Sequence, residues 1–136
     1  MTEAKGLEAI NPATGAIIAT YPCMHQEEIV QAIELAHSGF QQWKHSAFSV
    51  RSTALTQASQ ALKANNVALA ECITQEMGKP IQQSFAEVEK CAWVCDYFAT
   101  NGQQHLSDET IKLDHKTAIV TAQPLGILFA VMPWNF

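Results

Sequence analysis

Apolar and polar positions change their period near residue 108. Before it, apolar side chains recur every three or four positions, which is the spacing of amphipathic helices. After it, they alternate with polar residues or run together, which favours strands. The pattern predicts a helical part followed by a part with β structure.

The first helix is predicted over residues 26–43. Glu27 and Glu28 fall in its first turn, where the helix dipole favours anions. A second helix follows, and Ser49 is a candidate for its N-cap. One apolar stripe runs along the first helix and consists of Ile29, Ala32, Ile33, Ala36, Phe40 and Trp43.

Two further helices are separated by a Gly-Lys-Pro sequence. Asn65 and Asn66 interrupt the helical pattern before the third helix, and Gly78 can take the left-handed conformation that ends it. Pro80 cannot continue that helix but is well placed to open the next. The fourth helix is predicted over residues 80–100, and Asn101 and Gly102 are its predicted stop.

The strands are predicted at both ends of the chain. Residues 11–15 read as a turn that opens a small hairpin, with a strand over residues 16–20. A second hairpin has strands over residues 110–113 and 116–122. Residues 127–132 are all apolar, which favours a strand buried on both faces of a parallel sheet. Ligands bind beyond the carboxyl ends of such strands.

Composition indicates which classes of protein the chain can belong to. The chain has 136 residues, is 48% hydrophobic and carries a net charge of −5, which describes a globular domain. It has no basic run of a nucleic-acid-binding protein, no secretory signal and no apolar run of the ~20 residues that span a membrane. We therefore expect neither a nucleic-acid nor a membrane partner.

The four cysteines form no CxxC pair and favour reduced thiols in a cytoplasmic protein. Cys91 and Cys95 share one helix face and are expected to be buried and structural, because no third ligand completes a metal site. Lys79 and Glu87 are expected to be solvated.

Four short motifs carry a resemblance to a known family. The sequence Pro-Leu-Gly-Ile-Leu-Phe-Ala-Val-Met-Pro-Trp-Asn-Phe, residues 124–136, resembles the aldehyde dehydrogenase superfamily. Residues 76–80, Glu-Met-Gly-Lys-Pro, are similar to a signature of its succinate-semialdehyde dehydrogenase branch, and residues 10–15 and 86–90 also match. The resemblance covers almost the whole chain, although family members are much longer.

The resemblance implies an α/β fold in three parts. Residues 1–108 would be the N-terminal helical layer of a Rossmann-type cofactor-binding domain. Residues 109–123 would be part of the hairpin through which family members form homo-oligomers. Residues 124–136 would hold the first core strand and the active-site asparagine.

The same resemblance implies the roles of five residues. Asn135, which by position alone reads as a turn residue, would donate its amide N–H to the oxyanion formed from the aldehyde. Met132, Pro133 and Trp134 would line the cleft for NAD or NADP, and Phe136 would form a wall of the substrate tunnel. No residue is expected to bind a metal.

The implied reaction is the oxidation of a small aldehyde, with succinate semialdehyde as the substrate of the most similar branch and succinate as its product. A cysteine thiolate attacks the aldehyde, hydride passes to NAD or NADP, and water releases the acid. The nucleophilic cysteine and the general base lie beyond Phe136, so the 136 residues are expected to be inactive by themselves. Two alternatives are a non-enzymatic helical module that docks on a full-length dehydrogenase and an unrelated α+β binding domain.

Overall fold

The computed structural model describes residues 6–132, which form two hairpins on either side of four helices. Each hairpin is a separate two-stranded antiparallel sheet. The order along the chain is helical first and β structure later, apart from the N-terminal hairpin, as the change of period predicts. The elements are β1 (Leu7–Ile10), β2 (Ile17–Tyr21), α1 (Gln26–Trp43), α2 (Phe48–Ala64), α3 (Asn66–Met77), α4 (Ile81–His105), β3 (Glu109–Leu113) and β4 (Lys116–Val120).

The turn between β1 and β2 is held by an asparagine side chain, which confirms the predicted turn. Asn11 Oδ1 accepts hydrogen bonds from the backbone N–H groups of Ala13 (2.9 Å) and Thr14 (3.2 Å). Gly15 closes the turn with φ +72°, a conformation that glycine adopts without steric cost. The strands pair from Leu7 opposite Tyr21 onward, with an irregularity between Ala9 and Ile10.

Helix α1 has the predicted bounds and the predicted acidic first turn. Glu28 Oε2 accepts a hydrogen bond from the backbone N–H of His25 at 2.7 Å, which satisfies one of the free donors at the helix start. None of the 18 residues of α1 is buried. Its apolar stripe is exposed except at Phe40, which is half-buried.

The packed centre of the described residues lies where α4 meets α2 and α3. Its buried side chains are small, which allows the helices to approach closely. Thr74 and Ser84 share a 2.9 Å hydrogen bond between α3 and α4, and the exposed ion pair of Lys63 and Asp96 (2.7 Å) joins α2 to α4. The buried residues are Ser59, Ala70, Ser84, Val88 and Ala92.

Helix α2 begins one residue earlier than its predicted cap, so the assignment of Ser49 was wrong. Ala47 occupies the N-cap with extended backbone angles, and its carbonyl accepts the first helical bonds, from Val50 and Arg51. The preceding turn is closed instead by Ser46, whose hydroxyl donates to the carbonyl of Trp43 at 2.7 Å. The N-terminus of α2 has no side-chain cap hydrogen bond.

Helix α4 continues past the predicted stop at residue 100 and ends at His105. Asn101 does not end the helix, because its side-chain amide donates to the carbonyl of Tyr97 one turn earlier, at 2.9 Å. Pro80 is the N-cap rather than the first helical residue, with φ −56° and ψ 131°. The carbonyl of Pro80 accepts the first bonds, from Gln83 and Ser84.

The hairpin of β3 and β4 confirms the predicted turn at residues 114–115, with Leu113 opposite Lys116. Strand β4 ends at Val120, two residues earlier than expected. All residues of both strands are exposed. An isolated hairpin of this kind gains little stability of its own.

Residues 127–132 do not form the predicted strand, and residues 121–132 contain neither helix nor strand. A strand needs a neighbour to accept and donate its ladder hydrogen bonds. The described residues form two separate two-stranded sheets, β1 with β2 and β3 with β4. Neither sheet pairs with this segment. Residues 127–132 therefore have the apolar sequence of a buried strand, but the described residues supply no neighbouring strand to pair with them.

The chain exposes far more surface than a compact protein of its size. Its accessible surface is 11131 Å². A folded monomer of 14.9 kDa exposes about 7,000 Å² on average. Much of the excess is apolar and lies on α1, on the outer face of α4 and on residues 125–132.

Candidate functional site

The candidate site follows the apolar segment at the end of the chain. Met132, the first of the five predicted site residues, is the last described residue, and 83% of its surface is exposed. Pro133, Trp134, Asn135 and Phe136 lie outside the described residues. The structure therefore describes the chain only up to Met132, at the start of the predicted site.

The approach runs from the end of β4 to Met132. Gly126 has φ +126°, a backbone conformation that side-chain-bearing residues rarely adopt, and it precedes the apolar residues directly. The segment beyond it is open to solvent, and Phe129 exposes 92% of its surface. Ile127, at the start of the segment, is more covered and exposes 43% of its surface.

A sharp corner joins α3 to α4 at Gly78. Its φ is +72°, and its N–H donates to the carbonyl of Thr74 at 2.9 Å, which is the left-handed helix end that the sequence predicts. A Cβ atom at this position would lie 3.0 Å from Cγ of Pro12. The turn between β1 and β2 thus packs against the corner, and two of the four sequence motifs meet there.

Lys79 and Glu87 form an ion pair, so the prediction that both are solvated was wrong. Lys79 Nζ donates to Glu87 Oε2, and the two side chains expose only 11% and 20% of their surfaces. Lys79 lies outside α4, between Gly78 and the helix start, so no helical spacing rule indicates the pair. The ion pair ties the corner to the second turn of α4 and has a structural role.

The cysteines are not joined by disulfides. Cys91 is exposed, which contradicts its predicted burial, because the buried face of α4 is formed by Ser84, Val88 and Ala92. Cys95 is half-buried. Burial raises the pKa of the Cys72 thiol, and the negative charge and hydrogen bond of Glu76 raise it further.

A thiol with a raised pKa is a poor nucleophile at neutral pH. Within residues 6–132 no group of three or more His, Cys, Asp or Glu side chains is arranged to hold a metal ion. No helix among the described residues has the length and apolarity that crossing a membrane requires.

The ion pair between α2 and α4 sets the titration of one carboxyl group. The pKa of Asp96 is lowered, first by the hydrogen bond from Lys63 and then by the Ser59 hydroxyl. Lys63 lies on α2, so its ion pair with the charged Asp96 carboxylate joins the two helices.

Comparison with known proteins identifies the family. The model of the aldehyde dehydrogenase family matches residues 1–136. The chain belongs to this family. The resemblance carried by the four sequence motifs is thereby confirmed, and it extends over the whole chain.

Two curated relatives belong to the succinate-semialdehyde branch. The chain is 38% identical to the NAD(P)+ succinate semialdehyde dehydrogenase Sad of Escherichia coli over 136 residues. It is 39% identical to a probable NADP+ succinate-semialdehyde dehydrogenase of Synechocystis over 130 residues. These matches cover 100% and 96% of this chain but 29% of each relative, so the chain spans less than a third of their length.

A solved structure of the family has the same fold over this region. The NADP-dependent glyceraldehyde-3-phosphate dehydrogenase of Bacillus halodurans, complexed with NADP, superposes with a TM-score of 0.86 at 26% identity. The match covers 98% of this chain and 29% of that chain. The fold is therefore that of the N-terminal part of an aldehyde dehydrogenase, as the sequence predicts.

Proposed function

We propose that this chain is the N-terminal part of an NAD(P)-dependent aldehyde dehydrogenase that oxidises succinate semialdehyde to succinate. The observation that carries the proposal is the family match over residues 1–136. The substrate rests on the two relatives named for succinate semialdehyde, at 38% and 39% identity. The cofactor class rests on the same names and on the structural relative complexed with NADP.

In this proposal Asn135 stabilises charge in the transition state. Attack of a cysteine thiolate on the aldehyde carbon turns the carbonyl oxygen into an oxyanion, and the Asn135 amide N–H donates to that oxygen. Met132, Pro133 and Trp134 border the NAD or NADP cleft, and Phe136 forms a wall of the substrate tunnel. NAD or NADP, when bound, accepts the hydride.

The three parts of the chain contribute differently to this function. Residues 1–108 supply the helical layer of the cofactor-binding domain, and residues 124–136 supply Asn135. Residues 109–123 contribute to homo-oligomerisation, which is supported by the exposure of both strands of the β3–β4 hairpin. The four cysteines, none in a disulfide, support a reducing compartment such as the cytoplasm.

We further propose that the 136 residues have no dehydrogenase activity by themselves, because none of their four cysteines lies in the motif of the family nucleophile. The purified chain, incubated with succinate semialdehyde and either NAD or NADP, is expected to produce no reduced nicotinamide above the blank. The Escherichia coli relative serves as the positive control. Cofactor reduction by the chain alone would refute this part of the proposal.

A chimera tests the function itself. Residues 1–136 replace the 29% of the Escherichia coli relative that they match. The chimera is expected to oxidise succinate semialdehyde, and Asn135→Ala is expected to lower its kcat by about 10²–10³-fold.

The matched control is Asn101→Ala, which removes the same amide group from the surface of α4, where it bonds to Tyr97. This variant is expected to keep the kcat of the chimera. An active chimera whose Asn135→Ala variant retains full kcat would exclude the proposed role of Asn135.

A further inference from the structure

A glycine with an unusual backbone conformation lies between β4 and the predicted site. Gly126 has φ +126°, whereas Gly15 and Gly78, the other glycines with positive φ among residues 6–132, both have φ +72°. The smaller value is close to the left-handed helical region, which other residues visit at turns and helix ends. The value at Gly126 lies well beyond that region, where residues with a side chain are rare. The conformation at position 126 therefore requires glycine.

The requirement comes from the backbone and not from crowding. A Cβ atom at Gly126 would meet nothing within 4 Å among the described residues beyond its chain neighbours. At Gly78, in contrast, the same atom would lie 3.0 Å from Cγ of Pro12. Glycine at position 126 is thus explained by the direction that the chain takes at this residue.

The segment after Gly126 leads directly to the predicted site. Residues 127–132 follow it, and Asn135 stands nine positions beyond it. Residues 124–132 lie outside the helices and strands, and no backbone hydrogen bond holds them to another part of the described chain. The backbone angles at Gly126 therefore set the course of this segment as it leaves the hairpin.

The chain superposes on an enzyme in which the fold continues beyond this segment. The match with the Bacillus halodurans dehydrogenase covers 98% of this chain, so it leaves out only a few residues. Resting on the proposed function, we propose that Gly126 is a positioning residue for aldehyde oxidation. Its backbone conformation directs residues 127–132 so that the Asn135 amide N–H reaches the aldehyde oxygen. A displacement of about 1 Å in a catalytic group can lower a rate by about 10²-fold.

Gly126→Ala in the Escherichia coli chimera tests this assignment. Alanine does not adopt φ +126° without strain, so kcat and kcat/KM for succinate semialdehyde are expected to fall together, by about 10²-fold. Gly15→Ala is the matched control, because Gly15 also has positive φ and open space around it but lies in the turn between β1 and β2. This control is expected to keep the kcat of the unmodified chimera.

A second readout separates positioning from a loss of folded protein. In a chimera that already carries Asn135→Ala, the further change Gly126→Ala is expected to alter kcat little, because the group that Gly126 positions is absent. A purely structural role of Gly126 would lower kcat by the same factor with and without the Asn135 side chain.

Four outcomes would overturn the proposal. These are an unchanged kcat in the Gly126→Ala chimera, equal losses for Gly126→Ala and Gly15→Ala, the same factor in the presence and absence of Asn135, and a Gly126→Ala chimera that does not fold although its methyl group enters open space. An inactive unmodified chimera would refute the proposed function and with it the role of Gly126. An active chimera that Gly126→Ala leaves unaffected would refute that role alone.

Discussion

At the scale of single residues, Gly78 meets two requirements, one on its backbone conformation and one on the space around its Cα atom. Its φ of +72° requires a residue that tolerates the left-handed conformation, and its Cα faces Cγ of Pro12 at the hairpin turn. The first requirement follows from the sequence pattern of a helix end before proline. The second is visible only in the tertiary structure.

Gly78→Ala is therefore expected to destabilise the chain by about 1–2 kcal/mol, since a left-handed residue with a Cβ atom carries that cost. The new methyl group would also lie 3.0 Å from Pro12. Urea unfolding measures the change. Gly39→Ala, in α1 with nothing within 4 Å of the added atom, is the control and is expected to be neutral or stabilising. Equal effects of the two substitutions would contradict this account.

The ion pair of Lys79 and Glu87 gives a second prediction at this scale. Lys79→Met leaves a largely buried carboxylate without its cation, so the free energy of unfolding is expected to fall by about 1–3 kcal/mol. Lys63→Met breaks an exposed pair, in which Lys63 and Asp96 expose 58% and 42% of their side chains. Its expected loss is smaller, because solvent screens exposed pairs. If urea unfolding gave Lys79→Met and Lys63→Met the same loss in free energy of unfolding, burial of the ion pair would not determine its contribution.

At the scale of elements, the α2–α4 contact links helix packing to pH. The pKa of Asp96 is lowered in the folded chain, chiefly by Lys63. Its carboxylate therefore contributes stability that is present above its ordinary pKa and is lost as the pH falls through the lower folded value.

The wild-type unfolding midpoint is accordingly expected to fall more steeply in the acid range than that of Asp96→Asn, which cannot titrate at this position. Lys63→Met should flatten the profile in the same way, because it removes the main cause of the lowered pKa. Thermal unfolding followed by circular dichroism over a pH series measures both. Parallel profiles for all three proteins would rule out a role of Asp96 in acid sensitivity.

At the scale of the whole molecule, the described residues form a helical core with several apolar faces left open. The surface excess of about 4,000 Å² is explained by the proposal that most of the fold lies elsewhere in a longer chain. Residues 127–132 include the most exposed of these apolar side chains. An unpaired apolar segment of this kind is a site for association between copies.

The isolated chain is therefore expected to associate and to bind an apolar dye. Replacing Leu128 and Phe129 together by lysine should reduce both dye fluorescence and the size seen by light scattering. Leu35→Lys is the control, because this exposed leucine lies outside the apolar segment and should change neither quantity. A wild-type chain that stays monomeric and binds no dye would refute the expectation.

The amino-acid sequence by itself determined the local elements and the family. The bounds of α1, the turn at Asn11–Gly15 and the helix end at Gly78 depend on neighbouring residues only, so periodicity and turn chemistry predict them. The motifs at residues 10–15, 76–80, 86–90 and 124–136 identified the family for the same reason. Each is a short contiguous sequence.

The tertiary structure decided what depends on residues far apart along the chain. The Lys79–Glu87 pair and the contact of Pro12 with Gly78 arise from helix and hairpin placement that no local spacing encodes. Residues 127–132 have the composition of a strand, yet they form none here. A strand exists only when a neighbouring strand completes its hydrogen bonds, and that partner is a property of the assembled sheet rather than of six apolar residues.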